Sequence, residues 1–272
     1  MVAGATLKVH IEVLPAPGCT RVHVVVLAGG LGKRMESSLP KVLHVVQGKP
    51  MCVHVLEKVK KLHPKGIYVV VGKYRSMIEE TIQQYMSLED IVFVNQDTPK
   101  GTGHALMCAK DEIMKRQSQT QQQRLPEKVL VLCGDVPFLT LNTMRRITQI
   151  QISKVALLTT MFENPHGYGR IIKNKNNFFQ QIVEEKECTE EQKQIKLVNG
   201  GVYCFQLDVL CAYLPLIQNV NAQNEYYLTD IFEIIKKNTM ISIDMIHVAE
   251  KENHELLGIN TKEQLNQLQL HT

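Results

Sequence analysis

The stretch that most constrains the fold is VHVVVLAGGLGKR, residues 22–34, where an apolar run passes directly into three glycines and then into cations. Val22, Val24, Val25, Val26 and Leu27 read as a strand covered on both faces, as in the middle of a parallel sheet. Gly29, Gly30 and Gly32 let the following turn adopt positive φ and bring backbone N–H groups close to an anion, and Lys33, Arg34 and Lys41 supply countercharge. This is a phosphate site in outline; the plainer alternative is a glycine turn with solvated lysines. Two familiar fingerprints fail here. A Walker loop needs Ser or Thr after its Gly-Lys and a glycine five positions earlier, but Arg34 follows Lys33 and Leu27 stands in the earlier place. A dinucleotide GxGxxG starting at Gly30 would need glycine where Met35 stands.

Beyond this loop, strand-like and helix-like segments alternate, which predicts an α/β fold with a mainly parallel sheet and helices on both faces. Strands are expected at 67–72, 91–95, 128–135, 155–161 and 241–248, and helices at 50–62, 75–86, 103–116, 140–151, 228–237 and 261–270. The glutamine-rich 117–127 reads as a surface loop, and 163–206 as a mixed β region over the substrate end of the sheet. Residues 1–20 read as an N-terminal extension with one strand, followed by a single domain over 21–272.

At 272 residues the chain can bury one substantial core. Its seven cysteines are scattered without a CxxC pair, which favours reduced thiols, a cytoplasmic location and no zinc site. Cys133 and Cys204 sit in apolar runs and read as core residues. A net charge of +4, no Trp and 6% aromatic residues give no basic stripe with stacking rings, so nucleic acid is not an expected partner. No run reaches the roughly 18 apolar residues of a membrane span, and no signal peptide is legible.

Ligands of parallel sheets collect at the carboxyl ends of strands, so polar residues following apolar runs are the candidates for chemistry. Besides the glycine loop, Gly101-Thr102-Gly103 opens a helix after a strand and offers backbone donors, or Thr102 simply caps that helix. Asp135 ends a hydrophobic strand, where it could hold a hard cation such as Mg²⁺ or serve as a turn residue. Asn260 stands at the start of the last helix, where taken alone it is an N-cap.

Together these segments resemble a known family. The pattern LxxGxGxxM followed by Pro40-Lys41 is close to the signature of sugar-1-phosphate nucleotidyltransferases. NPHGYGRI at 164–171, IVEEKE at 182–187, VNGGVYCF at 198–205 and NAQNEYYLTD at 221–230 extend the match over 22–264. The chain is most similar to the uridylyltransferase domain of N-acetylglucosamine-1-phosphate uridylyltransferases, without the hexapeptide-repeat acetyltransferase domain of the bifunctional bacterial members.

The resemblance implies a Rossmann-like, glycosyltransferase-A-like nucleotidyltransferase fold that joins UTP to N-acetylglucosamine-1-phosphate with Mg²⁺. It places Leu27, Ala28, Gly29, Gly30 and Gly32 on the nucleotide, with Arg34 and Lys41 as the catalytic cations. Gln96, Gly101 and Thr102 fall at uracil-side positions, and Asp135 and Asn260 at the two metal-ligand positions. Gly169, Glu184, Asn199 and Tyr226 fall at the sugar. Two residues depart from the common pattern: Lys33 adds charge beside the triphosphate, and Gly200 removes a side chain expected near the sugar. The alternatives are a related transferase for another sugar or nucleotide, and a non-catalytic nucleotide-sugar sensor. A homo-oligomer is compatible with this sequence.

Overall fold

The computed structural model describes residues 21–30, 32–119, 126–149 and 153–265. Strand β1 (Val22–Leu27) feeds the glycine loop, and a short hairpin of β2 (Val45–Val46) and β3 (Lys49–Pro50) follows. Then come α1 (Met51–Lys60), β4 (Gly66–Val71), α2 (Arg75–Gln83), β5 (Ile91–Asn95) and α3 (Thr102–Ser118). The chain continues through β6 (Lys128–Cys133), α4 (Leu141–Thr148), β7 (Val155–Met161), β8 (Arg170–Lys173) and β9 (Phe179–Val183). It closes with α5 (Glu190–Lys193), β10 (Leu197–Gln206), α6 (Leu207–Tyr213), α7 (Asp230–Asn238) and β11 (Ile243–His247), and a last helix is described over 262–265.

The main sheet runs β11-β7-β10-β6-β1-β4-β5, with the β8–β9 hairpin attached beside β10. Neighbours on this path are parallel except β10, which is antiparallel to both β6 and β7. The exception has a simple origin. After β7 the chain makes its hairpin at the carboxyl end of the sheet and enters β10 from that same end, so no helical crossover is needed.

Alternation along β1 sorts the core into two layers. Val24 and Val26 pack with α1, α2 and α4 on one face; Val25 packs with α3, α6 and α7 on the other. All three are fully buried, which is why the run lacks polar alternation. Each such side chain contributes about 1.5–3 kcal/mol, so a polar residue here would cost more than most surface changes.

The expected elements occur with shifted ends. Helix α2 stops at Gln83, α4 at Thr148 and α1 at Lys60, while α3 runs on to Ser118, into the segment expected to be a loop. Residues 120–125 of that loop, the expected strand within 1–20 and most of the expected 261–270 helix lie outside the described residues. Helix α6 was not foreseen. Its buried Leu207, Val209 and Leu210 follow directly on β10 without a turn signal, so the end of the strand was illegible.

Candidate active site

The loop after β1 is shaped by close approach. Gly32 has φ +58°, and a Cβ there would lie 2.6 Å from the Lys41 Cβ, so the lysine stem presses on the glycine backbone. Pro40 sets φ −52° at the start of the 3₁₀ turn Lys41–Leu43, anchoring that stem. Gly134 donates its N–H to the Leu27 carbonyl at 3.0 Å, bringing the end of β6 and Asp135 alongside. The Ile259 N–H donates to the Asp135 carbonyl at 3.1 Å and sets Asn260 next to it.

The side chains then converge on one ammonium. Lys41 Nζ forms an ion pair with Asp135 and donates to Asn260 Oδ1 at 2.8 Å, while Arg34 Nη2 reaches the same oxygen at 3.3 Å. Asn260 Nδ2 donates to the Gly258 carbonyl at 3.1 Å, which holds Oδ1 toward the cations. Asn260 does not cap the last helix. Thr261 does, its hydroxyl accepting from Gln264 N at 3.2 Å, and Asn260 is thereby released for the site. The Lys33 side chain is outside the described structure.

Among the residues expected on the uracil side, Gln96 is 6% exposed and donates through Nε2 to the Gly101 carbonyl at 3.0 Å. Its Oε1 lies 3.5 Å from where a Cβ of Gly29 would stand, so the Gln96 segment abuts the glycine loop. Gly101 takes φ +102° and is crowded by Tyr226: a Cβ there would fall 2.7 Å from the Tyr226 carbonyl oxygen. One of the donors expected at this helix start is engaged within the protein: Gly103 N–H donates to the Tyr226 carbonyl at 2.7 Å. The capping alternative fails: Gly101 is the N-cap of α3, and the Thr102 hydroxyl accepts from Leu228 N at 3.1 Å, tying the start of α3 to the 225–228 segment.

Among the residues expected at the sugar, Gly169 leaves room for Glu184, whose Oε2 would lie 3.5 Å from a Cβ at 169. The Glu184 Oε1 accepts from the Thr229 hydroxyl at 2.8 Å. Burial pushes its carboxyl above the ordinary range, against the pull of that hydrogen bond. Asp230 is raised to about 6, first by burial and then by Glu184, Glu233 and Glu187. Asn199 N–H donates to the Gly169 carbonyl at 2.9 Å, and its side chain donates to the Tyr203 hydroxyl at 2.7 Å. Tyr226, expected at the sugar, lies instead against the start of α3: its N–H donates to the Lys100 carbonyl at 2.8 Å, its carbonyl accepts from Gly103, and its ring stands 6.3 Å from that of His104.

Thr229 and Tyr203 escaped the sequence assignment. The Gly200-Gly201 pair signals a bulge, and the register between β10 and β7 shifts between Asn199 and Tyr203, which keeps both side chains within reach of each other. Arg170 also went unnoticed. It is 1% exposed, pairs with Glu185 at 2.6 Å and fixes the residue next to Glu184.

Residues 24–177 match the model of the MobA-like NTP transferase domain. A relative from Acanthamoeba polyphaga mimivirus, a probable UDP-N-acetylglucosamine pyrophosphorylase, is 38% identical over 252 residues, covering 92% of this chain and 95% of its own. The chain belongs to the UDP-N-acetylglucosamine pyrophosphorylase family. The bifunctional protein GlmU of Caldicellulosiruptor saccharolyticus is 39% identical over 245 residues, 89% of this pyrophosphorylase-family chain, which spans about half the length of that relative. The solved structure of HddC from Yersinia pseudotuberculosis, complexed with GMP-PN, superposes with a TM-score of 0.61 over 92% of this chain and 98% of its own. At 18% identity that likeness establishes the nucleotidyltransferase fold alone.

Proposed function

We propose that the protein transfers the uridylyl group of UTP to N-acetylglucosamine-1-phosphate, giving UDP-N-acetylglucosamine and pyrophosphate. Family membership supports this activity, and one observation carries it at the level of residues: Arg34, Lys41, Asp135 and Asn260 meet at the carboxyl ends of β1 and β6. In the reaction a phosphate oxygen of the sugar phosphate attacks the α-phosphorus in line, a new P–O bond forms, and the bond to the β-phosphate breaks. Both reactants are anions, so the protein must hold them together and offset their repulsion. Lys41 and Arg34 supply cationic donors at the loop where the phosphates would lie. Gln96, Gly101 and Thr102 would hold the uracil, and Gly169, Glu184 and Asn199 the sugar.

Asp135 and Asn260 present a carboxylate and an amide oxygen to one shared cation, a hard donor set that fits Mg²⁺. Bound there, Mg²⁺ would add divalent charge opposite the phosphates. Cys52, Cys108, Cys133, Cys188 and Cys204 are free thiols, which supports a cytoplasmic setting. The deciding experiment is pyrophosphate release from UTP with N-acetylglucosamine-1-phosphate and Mg²⁺, with chelator and Asp135→Ala as controls. Metal-dependent release that vanishes in the variant is expected. Silence with every sugar phosphate and nucleotide, while UTP still binds, would instead indicate a nucleotide-sugar sensor.

A further inference from the structure

The Lys41 ammonium lies between Asp135 and Asn260, the two residues given the metal role above. It touches both residues, and the other lone pair of Asn260 Oδ1 is engaged by Arg34. An amide oxygen has two such sites, so it cannot add a cation without giving up a donor already there. The amide cannot turn away either, because Nδ2 is held by the Gly258 carbonyl. The Lys41 Cβ is pinned against Gly32, whereas the rest of its side chain consists of rotatable methylenes. Its root is therefore fixed and its charged end can move.

We propose that Lys41 is a built-in placeholder for the divalent cation: it neutralises Asp135 while the site lacks metal, and it is displaced toward the phosphate loop when the metal arrives. The proposal rests on the metal role given above to Asp135 and Asn260. It has two consequences for metal binding. The metal must compete with an internal cation, so binding without nucleotide is weak. Nucleotide phosphates offer the displaced ammonium a new partner, so nucleotide and metal bind cooperatively, each strengthening the other by the same factor.

The test uses Mn²⁺ as a paramagnetic probe, titrated into nucleotide-free protein and followed by the loss of the free-ion EPR signal. Lys41→Met removes the charge at similar length and is expected to tighten Mn²⁺ about tenfold. Lys41→Arg keeps a cation and is expected to show no gain. Equal or weaker binding by Lys41→Met overturns the placeholder; if that binding is still lost in Asp135→Ala, the metal role stands without it. Absence of Mn²⁺ binding by Lys41→Met as well as by wild type overturns the placeholder, and absence that persists with UTP present overturns the metal role with it. A measurement on the wild type avoids dependence on the folding of a variant. Saturating Mn²⁺ should raise labelling of Lys41 by an amine-reactive reagent several-fold, read by mass spectrometry, and unchanged labelling overturns the exchange.

Discussion

Gly200 was expected to open space beside the sugar, but a Cβ there would meet Leu256 Cδ1 at 2.7 Å and the Leu158 carbonyl oxygen at 3.1 Å. The missing side chain would thus have faced the core, and the departure at this position concerns packing. Gly200→Ala should destabilise the fold by about 1–2 kcal/mol while leaving the KM for the sugar phosphate within twofold, checked by denaturant midpoints and initial rates. Asn199 behaves differently. Its amide is aimed by Tyr203, so Tyr203→Phe should raise the KM for the sugar phosphate up to about tenfold, the equivalent of one lost hydrogen bond, with little change in kcat. Lys41→Ala and Asp135→Ala should each lower kcat by about a hundredfold or more, near 3 kcal/mol, with circular dichroism unchanged. Near-normal turnover by either would remove that residue from the mechanism. At this scale the sequence yielded residue types, but not which way Gly200 or Asn199 points.

Helices and loops add couplings that motifs do not spell out. The start of α3 is locked to the 225–228 segment through Gly103, Thr102 and the crowding at Gly101. Gly101→Ala would force a side chain into positive φ and against the Tyr226 backbone, so it should weaken UTP and sugar-phosphate binding together. Isothermal titration with each ligand separates this from a uracil-only effect. The first turn of α7 carries a pH dependence. Asp230 titrates near 6 in the fold and near 3.8 in the unfolded chain, so the native state holds the extra proton between those values. Stability accordingly falls as pH rises from about 4 through about 6. Asp230→Asn should raise the melting temperature at pH 7.5, by about 1 kcal/mol or a few degrees given its half-open position, and have little effect below pH 4. The alternation of strands and helices was legible because buried strands and amphipathic helices have different periods. Helix α6 was not, since an apolar strand running directly into a helix leaves no break in the pattern.

For the molecule as a whole, the sheet gathers residues from both halves of the chain at one edge. UTP at about a hundred times its Kd should stabilise the protein by about 2.7 kcal/mol, and the sugar phosphate should add to this only if its site is separate and complete. A thermal-shift titration with each ligand and both together checks this. By itself the sequence determined the strand, its glycine loop, the alternating α/β order and the chemical types at the strand ends, because these depend on local periodicity and backbone sterics. The placement of β10 antiparallel between β6 and β7 came from tertiary structure, as strand order depends on where the chain re-enters the sheet. So did the meeting of Asp135 with Asn260, 125 residues apart, which a backbone hydrogen bond from Ile259 and a shared lysine accomplish. Nothing local encodes that contact: it exists only once the sheet has closed and its carboxyl ends share one edge.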